Sequence, residues 1–310
     1  MKAFVVGFLL LILGITALAQ RGPIVAGSSA PDPFALSVGN GELAEAIPGF
    51  TSTNGKVQKS SVISAPTTTA VILTIGQSLI ATSSLGTYTT VNGASDNFNI
   101  YDGGIYGCSN IILGAAWAPA TGSNSPNCVI ADSLITAGTY TRVIMASIGI
   151  GGTPCAVWDT GGALRNRITV LMRRLQAKSL TPATGFVGDV WVLLHYGETD
   201  AVIGTTQAAM ATCIRNMDTA FTADGLTNYR LFVPTESFIL NTTHADIQNG
   251  QADAVASGCS KCRQGANWDS LLTATNRQGG GTDAHLTQTG NLNAAALDVT
   301  VIQNCKNTAC

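Results

Sequence analysis

Ala70-Val71-Ile72-Leu73-Thr74-Ile75-Gly76-Gln77-Ser78 is the stretch on which the reading of this chain turns. Its first six residues are apolar or β-branched, with no alternation of polar positions, as suits a strand buried on both faces of a parallel sheet. Gly76 then allows a tight turn. Ser78 is left at the start of the next element, at the carboxyl end of the strand, where ligands collect in open parallel sheets. A serine after Gly-Gln, taken alone, reads equally well as a helix cap.

Three further runs of the same kind follow: Arg142 to Ile148, Val190 to Leu194, and Tyr229 to Val233. Between the first two of these, Ala163 to Lys178 places Leu164, Ile168, Leu171, Met172 and Leu175 on one helical face and its arginines elsewhere, the pattern of a surface helix. Thr206 to Phe221 repeats it more weakly, and Thr287 to about Ile302 suits a last helix. Strand–helix alternation at this spacing predicts an α/β fold, a three-layer α/β/α sandwich around a central parallel sheet. Leu85 to Tyr140, rich in Gly, Asn and Thr, reads as a long insertion after the first strand.

Residues 1–19 read as an export signal: Lys2, an apolar run from Phe4 to Ile15, then Ala17-Leu18-Ala19 before a cut at Gln20. The run is shorter than the roughly 20 residues that cross a bilayer. Residues 20–66, without sustained periodicity, read as an extended lead-in, and 67–310 as one domain. Only 11% of residues are charged, against about 25% in typical domains. The net charge of −2 offers no basic field for nucleic acid and no polybasic patch for anionic lipid. The mature chain is expected to be secreted and free of the membrane. A surface of neutral polar groups suits sugars.

Eight cysteines in an exported chain predict disulfides. Cys259-Ser260-Lys261-Cys262 has no second Cys or His pair to complete a zinc site. Neither metal nor cofactor is expected. Sequence-local pairings are Cys108 with Cys128, Cys259 with Cys262 and Cys305 with Cys310.

The other strand ends carry Gly149-Ile150-Gly151-Gly152-Thr153 and His195-Tyr196-Gly197-Glu198-Thr199-Asp200, and Asp283-Ala284-His285 precedes the last helix. A serine nucleophile at neutral pH needs an imidazole to take its proton, and the imidazole needs a carboxylate that fixes its tautomer. Asp283 and His285, two apart, project to the same side in extended backbone. Glycines such as Gly151 and Gly152 let backbone N–H groups approach an oxyanion. The plain alternatives are a turn aspartate beside a surface histidine, and turn glycines.

In order, Gly76-Gln77-Ser78, Gly151-Gly152-Thr153 with Trp158, His195-Tyr196-Gly197-Glu198-Thr199-Asp200 and Asp283-Ala284-His285 resemble the motif blocks of the SGNH hydrolase superfamily. The branch they resemble most is the sialate O-acetylesterase and carbohydrate esterase family six group. The resemblance runs from Val71 to the last helix. It implies a flavodoxin-like three-layer esterase that removes acetyl groups from sugars without metal. Ser78 would be the nucleophile, His285 the base and Asp283 its orienter. Gly151, Gly152, Tyr196, Gly197 and Glu198 would serve the oxyanion and the substrate, an acetylated glycan or small ester. Two departures stand out: Leu79 where the family usually has Asn, and Tyr196 where it usually has Gln.

Other readings attach to single residues. The two departures motivate a carbohydrate-binding protein that kept the scaffold without the chemistry. Glu198 and Asp200 could form a glycosidase pair, although their place at a strand end suits structural support, as does that of His195. Trp117 and Trp158 could flank a sugar cleft or pack in the core. Asn241-Thr242-Thr243 forms a glycosylation acceptor in a surface loop near His244.

Overall fold

The computed structural model describes residues 58–59, 63, 65–81, 86–109, 112–115 and 125–310. The export signal, nearly all of the lead-in, and Trp117 lie outside the described residues.

The Ala70 run forms β2 (Thr69–Gly76), and all eight of its residues are buried. It pairs in parallel with β5 (Arg142–Ser147) on one side and β6 (Asp189–His195) on the other. β3 (Ser95–Phe98) extends the parallel array beyond β5. β7 (Arg230–Thr235) and β8 (Cys262–Asn267) extend it beyond β6. Two short strands, β4 (Ile105–Gly107) and β1 (Gln58–Lys59), close one edge antiparallel. The sheet of eight strands runs β1-β4-β3-β5-β2-β6-β7-β8.

Residues of the central strands alternate between two packed faces. On one, Val71, Leu73, Ile75, Ile144 and Val192 meet α2 (Arg165–Ala177), α4 (Gln207–Ala223) and α5 (Ala245–Ala256). On the other, Ala70, Ile72, Met145 and Leu193 meet α1 (Pro126–Thr136) and α6 (Gln288–Thr308). α3 (Glu198–Ile203) is a short helix directly after β6. Each fully buried Val, Leu or Ile contributes about 1.5–3 kcal/mol by leaving water, so a strand buried on both faces anchors the domain. The three-layer α/β/α arrangement agrees with the sequence reading. No helix among the described residues is long and apolar enough to cross a membrane.

The reading of Leu85 to Tyr140 as an insertion needs correction, because β3, β4 and α1 all lie within it. β3 reads Ser-Asp-Asn-Phe yet is wholly buried. Its polar groups are satisfied one by one. Asn97 donates to the carbonyls of Leu113 and Met145 at 3.2 Å each, and Asp96 pairs with Arg142 at 2.7 Å and with Lys59. Burial by hydrogen bonding leaves no apolar trace in a sequence.

The three local disulfides are present, Cys108–Cys128, Cys259–Cys262 and Cys305–Cys310. A fourth, Cys155–Cys213, joins the loop after β5 to α4 across 58 residues. Asn241 sits in an exposed turn closed by Ile239 and Thr242.

β2 leaves the sheet through Gly76, where a Cβ would stand 2.1 Å from the carbonyl oxygen of His195. That carbonyl accepts from Gln77 N–H at 3.1 Å, binding the turn to β6. Gly76→Ala is therefore expected to lower unfolding stability by on the order of 2 kcal/mol through overpacking, measured by urea denaturation. An unchanged midpoint would contradict this packing.

Candidate active site

The chain order explains where a site can form. From β2 the chain runs to β3 and β5 on one side, then crosses back to β6 on the other. The carboxyl end of β2 is thus the switch point of the sheet, where loops diverge and leave a crevice. Ser78 stands there with 7% of its surface exposed, on a turn closed by Ala81 N–H to Gln77 O at 3.2 Å.

His285 Nε2 lies 3.0 Å from Ser78 Oγ, although the two residues are 207 apart in sequence. His285 Nδ1 lies 2.9 Å from Asp283 Oδ1. The same carboxylate oxygen accepts the backbone N–H of His285 at 2.9 Å. That double acceptance is an Asx-type turn, so the two side chains meet through a bend rather than through the extended backbone expected. The His285 side chain is 24% exposed and that of Asp283 43%, which leaves the pair open to solvent on one side.

Partial burial pushes the Asp283 carboxyl up. The hydrogen bonds from the His285 ring and backbone, with attraction to the imidazole and to Arg277, outweigh it and hold the group below its ordinary value. Asp283 is thus ionised at neutral pH and accepts a proton-bearing Nδ1. Nε2 is then free to accept from the Ser78 hydroxyl.

The loop bearing Gly151 and Gly152 leaves β5 beside this turn, tied to it by Ile150 N–H to Gly76 O at 3.0 Å. Gly152 has φ 71°, and Thr153 Oγ1 fixes the loop by donating to Ile150 O at 2.7 Å. Trp158 is wholly buried and donates to Thr153 Oγ1 at 3.1 Å. It belongs to the core rather than to a sugar cleft.

The third block lies deeper than the sequence suggests. Tyr196 is buried, its ring tilted against Trp158 at 6.3 Å, and its hydroxyl has no hydrogen-bond partner among the described residues. The phenol therefore faces the core and does not stand in for a Gln donor. At Gly197 the backbone comes so close to Glu236 O that a Cβ would lie 1.7 Å away. Glu198 and Asp200 are buried too, and neither is open to a sugar chain. Asp200 accepts from Cys155 N–H at 3.0 Å. Glu198 accepts from the Gln77 side chain, whose oxygen accepts from Thr199 N–H at 3.2 Å. Gln77 thereby clamps the serine turn to the start of α3.

Joined to the serine turn through Gln77 is a polar layer of which the sequence reading captured only His195 and Glu198. His195 Nδ1 lies 2.7 Å from Glu236 Oε2, and its ring lies 4.3 Å from that of Trp268. Asp298 Oδ2 is 3.9 Å from His195 Nε2. Gln251 closes the layer, donating to Tyr196 O at 2.7 Å and Glu236 O at 2.8 Å. The available signal was position: Glu236 stands just past β7, as Glu198 does past β6.

Burial governs the charges of this layer. It pushes His195 down to about 4, against the pull of Asp298. It lifts Asp298 to about 7 and Asp200 to about 6. Glu198 is raised well above its ordinary value by burial and by the neighbouring Glu236, and burial raises Glu236 as well.

These shifts oppose one another in stability. Between about 4, its folded value, and 6.5, its ordinary value, His195 binds an extra proton in the unfolded chain, and its contribution to stability gains as pH rises. The raised acids act the other way, because the folded state holds protons that the unfolded chain has released. Above pH 6.5 the imidazole contribution fades and the acids dominate. The thermal midpoint should therefore fall between pH 6.5 and pH 8, with a shallower slope in Asp298→Asn. A midpoint that is flat or rising across that interval would contradict the buried-acid layer.

No protein-family model matches the sequence, and no curated protein matches it. Solved structures do resemble it. A protein from Arabidopsis thaliana aligns with TM-score 0.54 and 13% identity, over 79% of this chain and all of its own. A lipase/acylhydrolase from Enterococcus faecalis aligns with TM-score 0.40 and 15% identity, over 76% of this chain and 95% of its own. A carbohydrate acetylesterase from Xanthomonas citri aligns with TM-score 0.44 and 13% identity, over 76% of this chain and 55% of its own. The likeness to the plant protein shows a shared fold.

Proposed function

We propose that the chain is a serine ester hydrolase, exported from the cell and acting on acetyl esters of carbohydrate. The observation that carries this reading is the continuous hydrogen-bonded path from Asp283 through His285 to Ser78, at 2.9 and 3.0 Å. Four disulfides fit an oxidising compartment. The likeness of the motif blocks to the carbohydrate esterase family six group supplies the substrate class.

In the reaction, Ser78 Oγ attacks the ester carbonyl carbon while its proton passes to His285 Nε2. The carbonyl π pair moves to oxygen, and backbone N–H groups of the Ser78 turn and the Gly151–Gly152 loop receive that oxyanion. The intermediate collapses, the C–O bond to the sugar breaks, and His285 returns the proton to the departing alkoxide. Water then attacks the acyl-serine, giving its proton to His285; the acyl C–Oγ bond breaks, His285 returns the proton to Ser78 Oγ, and the acid leaves. Asp283, ionised throughout, stabilises the transient imidazolium.

Tyr196 favours a second reading, a glycan-binding protein on the same scaffold, because its phenol is turned into the core where the family usually offers Gln. Turnover separates the two. Release of acetate from a chromogenic acetate ester is expected, with kcat lowered on the order of 10⁴-fold or more by Ser78→Ala or His285→Ala. Glycan binding that survives Ser78→Ala, with no ester turnover in the wild type, would establish the second reading instead.

A further inference from the structure

The loop that carries Asp283 and His285 has little regular structure of its own. It follows Gly279-Gly280-Gly281, all three at positive φ of 60°, 71° and 98°. Its ties include Gln278 N–H to His285 O at 2.9 Å, Asp283 N–H to Gln278 O at 3.2 Å and Thr287 N–H to Asn276 O at 2.9 Å, and the Gln278 side chain donates to Leu286 O at 2.8 Å.

Behind it lies Arg277, a residue that the steps above leave unused. It is completely buried, and a buried charge is costly unless its N–H groups are satisfied. Each of its three nitrogens donates to a backbone carbonyl: Nε to Leu271 O at 3.0 Å, Nη2 to Trp268 O at 3.0 Å, and Nη1 to Ala284 O. Ala284 is the residue between Asp283 and His285. The guanidinium carbon lies 5.3 Å from the centre of the Phe238 ring, on the segment after β7. One planar fork thus joins the turn after β8, the segment after β7 and the acid–base loop. A lysine ammonium, with a single donor centre, cannot span three carbonyls in this way.

We propose that Arg277 is a positioning residue for ester hydrolysis: its grip on the Ala284 carbonyl sets the place of Asp283 and His285 relative to Ser78. The inference rests on the esterase reading and adds a residue that touches no substrate. A residue acting in this way changes the geometry of proton transfer and leaves the binding of ester untouched. Its loss lowers kcat and spares KM.

The test uses Arg277→Met and Arg277→Lys in the full chain, with kinetics on a chromogenic acetate ester and hydrogen exchange of residues 278–287. Both variants are expected to lose about tenfold or more in kcat, as small misplacements of catalytic groups do, with KM within about threefold of wild type. Exchange in the 278–287 segment is expected to accelerate in both. A variant lacking the Cys305–Cys310 bridge, which is remote from this loop, serves as a destabilised control and keeps the wild-type kcat. Wild-type kcat and wild-type exchange in folded Arg277→Met overturn the inference. Should that variant fail to fold, Arg277→Lys decides on the same two readouts. A wild-type protein without ester turnover brings down the esterase reading instead, and the exchange arm still reports on the loop.

Discussion

The contact between His285 Nε2 and Ser78 Oγ, at 3.0 Å, joins two parts of the chain that share no local structure. Each side must be held independently for it to exist. On the serine side, β2 is buried along its whole length and its exit turn is bonded to β6 through the His195 carbonyl. On the histidine side the described residues form a glycine-rich bend with one bridge between Arg277 and Leu286. A buried guanidinium and a few backbone hydrogen bonds fix that bend. The first half presents the hydroxyl, and the second brings the imidazole to it.

A layer of ionisable groups sealed from water is bonded to the serine turn through Gln77 and Glu198. Burial disfavours the charged form of His195, Glu198, Glu236 and Asp298. The Arg277 guanidinium lies close enough to lower both glutamates. The layer ties strand ends together: Gln77 to Glu198, His195 to Glu236, and Gln251 to both Tyr196 and Glu236. Partly satisfied polar networks of this kind are costly in general. Here the layer holds on to the serine turn by the Gln77–Glu198 bond.

The fold was legible in the sequence wherever burial was achieved with apolar side chains. β2, β5, β6 and β7 announce themselves as β-branched runs, and α2 by its periodicity. β3 and β8 do not. Ser-Asp-Asn-Phe reaches the sheet through hydrogen bonds and the ion pairs of Asp96, and Cys-Arg-Gln-Gly-Ala-Asn through hydrogen bonds of Arg263 and Gln264, which leave no periodic signal. Among site residues, Ser78, Asp283 and His285 could be singled out because few residue types suit those roles and histidine is scarce. Gln77, Asp298 and Arg277 could not, since what each does depends on a partner far away in the chain, and Glu236 offered only its place just past β7. Disulfides divide in the same way. The three short loops suggested their own pairings, whereas Cys155–Cys213 needed the packing of α4 to bring its ends together.

On the proposed reading Ser78 is an activated nucleophile, its hydroxyl hydrogen-bonded to an imidazole that a carboxylate orients. Reaction with a fluorophosphonate, followed by mass-spectrometric mapping of the adduct, tests this without choosing a sugar or an acyl group. A single stoichiometric adduct on Ser78, lost in His285→Ala while the fold is retained, is the predicted result. An unmodified protein, or an adduct on another serine, would contradict it.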